Sequence, residues 1–169
     1  MPWSRSARSV VLSAIGLLGC GGTSFDGRTF QNGELAFRVG PVPSEWHPIE
    51  ATGSLVAFRD DSAPAYIAVG GRCGKDADDV PLAALTHHLF LDFTDRNVEN
   101  QVKVELDGRE ALHTELSAKL DGVTRRLTVF VLKKNGCVYD FWHIAPPTVP
   151  AESRRQFVAF VQGFGTIRP

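Results

Sequence analysis

The chain has 169 residues, 43% hydrophobic and 22% charged, with 18 basic against 19 acidic side chains and a net charge of −1. This is ordinary globular composition and excludes a disordered chain. It also lacks the clustered basic excess that nucleic acid demands, because Arg125-Arg126 and Lys133-Lys134 are small pairs that read as solvated strand ends.

Residues 1–9, MPWSRSARS, carry Arg5 and Arg8 and no acid, and residues 10–18, VVLSAIGLL, are apolar apart from Ser13 and Gly16. A basic start, an apolar core of about 7–15 residues and a small-residue exit make a secretory signal peptide. The core is too short to span a bilayer, which takes about 20 residues of helix, and nothing later supplies such a run. Leu17-Leu18-Gly19-Cys20 resembles the lipobox of bacterial lipoproteins. That resemblance implies that the Cys20 thiol takes a diacylglyceryl group, that the chain is cut before it, and that the new amino end is acylated. Residues 1–19 are then the signal, and residues 20–28 are the lipidated Cys and a flexible tether beginning Gly21-Gly22-Thr23-Ser24. The first expected partner is therefore the membrane, through lipid on Cys20. Gly21, rather than Asp, follows the Cys, which resembles lipoproteins sent to the outer membrane, facing the periplasm or the cell surface. Loss of Arg5 and Arg8 leaves a net charge of about −3 on a mature chain of about 150 residues, of which residues 29–169 are expected to form a single domain.

Four turn dipeptides punctuate that domain: Asn32-Gly33, Asp107-Gly108, Asp121-Gly122 and Asn135-Gly136. Asn-Gly and Asp-Gly suit the two-residue type I′ hairpin, in which both central residues need φ > 0. Taken in order, strands are expected at 34–39, 54–59 and 65–71. Leu82, Leu85, Leu89 and Phe93 recur at helical spacing over 81–93, after an Asp78-Asp79 cap signal and with Pro81 in the first turn. A four-stranded antiparallel meander follows over 97–106, 109–120, 123–134 and 137–145. A second helix is expected over 151–163 after Pro150, on Phe157, Phe160, Val161 and Phe164. Tight loops pair Leu106 with Arg109, Leu120 with Val123 and Lys134 with Cys137, which sets the register. Val102, His113, Phe130 and Phe141 then share one cross-strand row; Thr114, Val129 and Trp142 share a row on the other face. A sheet apolar on both faces must be covered on both. The fold class expected is α+β, an antiparallel sheet with helices on both faces, helped by the segment around Trp46.

The stretch LAFRVGPVPSEWHPI, followed by strands, a helix, the meander and a closing helix with FVAFVQGF, resembles the PsbP/Mog1-like group over most of 29–165. The resemblance implies a layered α/β/α sandwich. It also implies a protein of accessory or binding type, since the group carries largely non-catalytic members with unrelated roles.

No motif supplies chemistry on its own. GGRCGKD (70–76) lacks the spacing of a phosphate loop: Val69 stands where its first Gly belongs and Asp76 where Ser or Thr belongs. Asp76, Asp78 and Asp79 do not complete a calcium loop, because His87 takes the place of the closing Glu. His87 and His88 diverge by about 100° on a helix and cannot share an ion. No cofactor and no metal are expected. The register does place Asn100, Glu115, Thr128 and His143 side by side, with Glu115 and His143 too far apart for a direct bond. Such a row reads as a polar patch near the sheet edge, or as an acid/base site.

With Cys20 committed to lipid, Cys73 and Cys137 remain in an oxidising compartment, where pairs join. Antiparallel pairing of 65–71 with the last meander strand would bring them together as a disulfide; two separate thiols are the alternative. The leading functional expectation is a membrane-anchored, non-catalytic envelope lipoprotein acting as an accessory or protein-interaction domain, with an envelope protein as partner. A small-ligand binding module with a pocket between sheet and helix is the alternative, and an enzyme the third reading.

Overall fold

A computed structural model describes residues 22–74 and 79–167 of the chain. Three of the four turn dipeptides act as their chemistry requires. Asp107, Asp121 and Asn135 take φ of 49°, 50° and 54°, and Gly108, Gly122 and Gly136 take 69°, 78° and 71°. These left-handed pairs close the hairpins of β7 (Thr94–Leu106), β8 (Arg109–Leu120), β9 (Val123–Lys134) and β10 (Cys137–Ala145). The cross-strand partners are those the turns dictate: Val102 with His113, His113 with Phe130, and Phe130 with Phe141.

The meander is one side of a seven-stranded antiparallel sheet. Beyond β10 come β6 (Ala65–Cys73), β5 (Val56–Asp60) and β4 (Trp46–Pro48), in the order β4-β5-β6-β10-β9-β8-β7. A smaller antiparallel sheet combines β1 (Ser24–Phe25), β2 (Thr29–Gln31), β3 (Ala36–Arg38) and β11 (Gly165–Thr166). Two helices accompany them among the described residues, α1 (Leu82–Leu89) and α2 (Ala151–Gln162). The architecture is strand-rich, antiparallel and α+β.

Period-two alternation along the meander feeds two separate cores. Phe130 and Phe141 join Trp46, Phe157 and Phe160 in an aromatic cluster to which the small sheet adds Phe30 and Phe37. The neighbouring residues Val129, Val131 and Trp142 turn the other way and pack with Leu85, Phe90 and Phe93. Each fully buried Phe contributes roughly 1.5–3 kcal/mol by leaving water. The covering layers are not helix alone, since strands and loops supply Phe30, Leu35, Trp46, Phe90 and Phe93. At the end of α2 the backbones nearly touch: Gly40 N–H donates to the Phe160 carbonyl at 2.8 Å, and a Cβ on Gly163 would collide with the Gly40 Cα.

Several sequence expectations change at the boundaries. Asn32-Gly33 is not a type I′ turn; β2 and β3 are joined by a four-residue loop, and the Asn32 side chain accepts from the N–H of Glu34 and Leu35 at 2.9 and 2.7 Å. An Asx turn is the other conformation open to Asn. Helix α1 stops at Leu89 rather than 93, and Phe90 and Phe93 are buried from the turns that follow. Pro81 occupies its N-cap with no side-chain cap bond, so Asp79 does not cap it; Asp78, like Lys75 and Asp76, lies outside the described residues. Part of the tether assigned to 20–28 is strand: Ser24 pairs with Gln31 and Phe25 with Phe30. Phe25, partly buried against the core, sets its ring 6.0 Å from Phe58 and so holds this segment to the domain.

Candidate functional site

The polar row forms as the register requires, with Asn100 opposite Glu115, Glu115 opposite Thr128, and Thr128 opposite His143. Its two ends differ in environment. His143 is 2% exposed and is not part of an edge patch. Its Nε2 lies 3.0 Å from Ser153 Oγ in the first turns of α2, and that hydroxyl donates to Asp60 Oδ2 at 2.8 Å. All three side chains are at most 2% exposed.

Asp60 ends β5, where the chain turns into β6. Its Oδ1 accepts from the Ser62 N–H at 2.9 Å, the Ser62 hydroxyl at 2.6 Å and the Ala63 N–H at 3.2 Å. Burial pushes the carboxyl pKa up, but the bonds from Ser62, Ser153 and the backbone outweigh it and hold it below the usual carboxylate range. Since Ser153 spends its one proton on Asp60, it can only accept from His143, and His143 Nε2 therefore carries the ring proton. Burial drives the His143 pKa down to about 4, against an upward pull from Asp60. The neutral ring also stacks on Phe157 at 5.4 Å.

This order of groups is mechanically informative. In a nucleophilic triad the imidazole stands between hydroxyl and carboxylate, so that it can take the hydroxyl proton. Here the hydroxyl stands in the middle and the imidazole donates to it. The chain Asp60–Ser153–His143 is laid out to tie the β5–β6 turn, α2 and β10 together. Sequence reasoning found His143 but missed Asp60 and Ser153. The Asp60-Asp61-Ser62-Ala63-Pro64 run marks Asp60 as a turn residue; nothing local marks Ser153.

Glu115 lies at the rim. It meets Arg154 at 2.8 Å and His113 Nε2 at 3.5 Å, and next to it Arg126 bonds Glu99 at 2.7 Å. A crevice of about 100 Å³ opens among Glu99, Glu115, Thr128, His143 and Arg154. His113 stacks on Phe130 at 4.2 Å, and burial lowers its pKa.

At the far end of β6, Cys73 stands opposite Cys137 in the β6–β10 ladder, with Cα atoms 4.0 Å apart, and the two form a disulfide. Beside it a hollow of about 590 Å³ lies against α1, lined by Arg72, Val80, Leu85, His88 and Leu89. Asp140, three residues along β10, is nearly buried over Gly70, where a Cβ would strike its carboxylate. Trp142 Nε1–H donates to it at 2.9 Å and Arg72 approaches to 3.8 Å, yet burial keeps its pKa raised. Among the described residues no three His, Cys, Asp or Glu side chains converge to hold a metal ion, and no helix is long and apolar enough to cross a membrane. Cys20 lies outside the described residues.

No protein-family model matches this sequence, and none of the curated proteins matches it. Solved structures do resemble it. LpqN of Mycobacterium tuberculosis, involved in cell envelope biogenesis, superposes with a TM-score of 0.59 at 13% identity, over 80% of this chain and 86% of that one. Cyanobacterial PsbP (CyanoP) of Synechocystis sp. PCC 6803 gives 0.58 at 13% identity, over 93% and 99%. PA94 of Pseudomonas aeruginosa, a protein of unknown function, gives 0.50 at 12% identity, over 88% and 99%. At such identities the likeness speaks for fold alone. The chain has a PsbP-like fold.

Proposed function

We propose that this chain is a lipid-anchored, non-catalytic accessory domain of the bacterial envelope, held by Cys20 on the outer membrane and working through contacts with an envelope protein. The observation that carries this reading is the buried polar chain. Asp60, Ser153 and His143 are buried polar side chains that converge, and they are spent on joining elements. Export and anchoring rest on the signal layout and on LLGC at 17–20. A likeness in fold to LpqN, itself involved in cell envelope biogenesis, supports the same compartment. The layered α/β/α reading belongs with this proposal, with α1 on one face and α2 with the small sheet on the other. Strand β1 begins four residues after Cys20, a reach of at most about 14 Å of extended chain, so the anchor would hold the domain close to the bilayer.

Metabolic labelling with a fatty-acid analogue, followed by crosslinking and capture of the anchored protein from its own envelope, tests the reading. The parent is expected to label and to bring down a discrete protein partner, and Cys20→Ser to lose both. Equal labelling of the Ser variant would dismiss the anchor. The hollow of about 590 Å³ beside α1 favours a second reading, a small-ligand binding module. Native mass spectrometry showing a retained small molecule and no protein partner would select it.

A further inference from the structure

The seven-stranded sheet has two unlike edges. β4 is three residues long and ends in Pro48, so it offers almost no ladder to a neighbour. β7 is 13 residues long, is exposed at nearly every position, and among the described residues pairs on one side only, with β8. Its first half is broken by irregularities between Thr94 and Asn97 and between Val98 and Asn100. From Asn100 to Leu106 the pairing is regular and no proline intervenes.

The tight turn decides which backbone groups face outward. Leu106 and Arg109 close the hairpin and exchange N–H and C=O with each other, and Val104 and Val102 address β8 by alternation. The N–H and C=O of Gln101, Lys103 and Glu105 therefore point to the open edge. Val102, Val104 and Leu106 line the side of the aromatic core, and Lys103 and Glu105 the opposite side. Glu105 stands directly across from Glu110, a like-charge pair that weakens a ladder. Lys103 reaches Glu110 at 3.0 Å, and Glu105 has no ion-pair partner among the described residues.

We propose that this edge pairs with the same edge of a second copy of the chain, antiparallel, about a two-fold axis at Val104. Val104 then faces the partner's Val104, Val102 faces the partner's Leu106, and Lys103 faces the partner's Glu105 twice over. Other registers that keep outward groups opposite outward groups fail on charge or regularity. Centred on residue 103 the pairing sets Lys against Lys, and centred on 105 it sets Glu against Glu. Centred on 102 it sets Glu99 against Glu105, and centred on 101 it runs through the irregular half. A lysine on an edge normally guards it; with Glu105 two residues on, this edge becomes self-complementary. The pairing stands apart from the accessory-domain reading and would hold whether or not an envelope protein also binds.

Single cysteine substitutions at positions 101–105 of the full-length protein, expressed in its own envelope, test the pairing. Residues facing themselves across the axis have Cα atoms about 4.5 Å apart, within disulfide reach. Val104→Cys is expected to run at doubled mass without reductant, and Lys103→Cys and Glu105→Cys as monomers. Adding Lys103→Glu to Val104→Cys should lower the dimer about tenfold, and adding Glu105→Lys as well should restore it. Both charged sites are exposed, so the swap leaves the core alone. A monomeric Val104→Cys, doubling at another position, an adduct of any other mass, or a charge swap without rescue would overturn the proposal.

Discussion

His143 and Glu115 occupy the same row of one sheet, on either side of Thr128, and the fold treats them oppositely. His143 lies under α2, where its ring proton, the Ser153 hydroxyl and the Asp60 carboxylate form a closed chain. Glu115 stands at the mouth of the crevice, paired with the exposed Arg154. Register alone equates the two positions; depth under the helix separates them. An ion pair in contact with water contributes little, because solvent screens it and two long side chains must be ordered to make it. A buried polar chain contributes more to specificity than to net stability, but cutting one link strands the rest.

The largest effect should come from breaking the closed chain at its most connected member. Asp60→Ala removes an acceptor that serves Ser62, Ala63 and Ser153 together. A loss of about 3 kcal/mol is expected in denaturant unfolding. A loss below 1 kcal/mol would make the buried chain no different from the rim.

Acid should sharpen the contrast. Folded His143 has a pKa of about 4, whereas an unperturbed histidine is near 6.5. Between those values the unfolded chain binds more protons, so stability is full above pH 6.5 and falls as the pH is lowered toward 4. The full loss is on the order of 3 kcal/mol. Asp60, with its pKa held below the usual carboxylate range by its hydrogen bonds, adds a further loss as the pH falls through that range. Asp140, whose pKa burial raises, acts in the opposite sense. Comparing unfolding of the parent with His143→Gln at pH 7 and pH 4.5 isolates the imidazole. The parent should lose distinctly more stability than the variant, and parallel losses would remove His143 from the account.

The smallest effect belongs to the rim. Glu115→Ala should cost less than about 1 kcal/mol, as exposed pairs do, and half of that should vanish in high salt. A cost equal to that of Asp60→Ala would erase the distinction.

Much of the sheet was legible because its determinants are local. Each Asp-Gly or Asn-Gly turn fixes two residues at positive φ, and from that closing pair every cross-strand neighbour follows by counting. That is why Phe130 and Phe141 fall in one row and Trp142 on the other face. The Phe157, Phe160 and Val161 spacing likewise marked the buried stripe of α2. Strands of two or three residues, such as β1 and β11, carry too little sequence for a period to show. Asn32-Gly33 failed as a hairpin signal because an Asn side chain can satisfy backbone N–H groups in more than one kind of turn.

The sequence by itself determined the meander, its register, the two apolar faces and the placing of His143 beside Thr128. Only the tertiary structure decided what that histidine meets. Ser153 is ten residues away along the chain and Asp60 is 93 residues from Ser153, on elements whose approach depends on how α2 settles onto the aromatic face. Local rules of turn and period act over a few neighbours, whereas a buried polar contact is made by whichever groups the packing of distant elements brings within 3 Å.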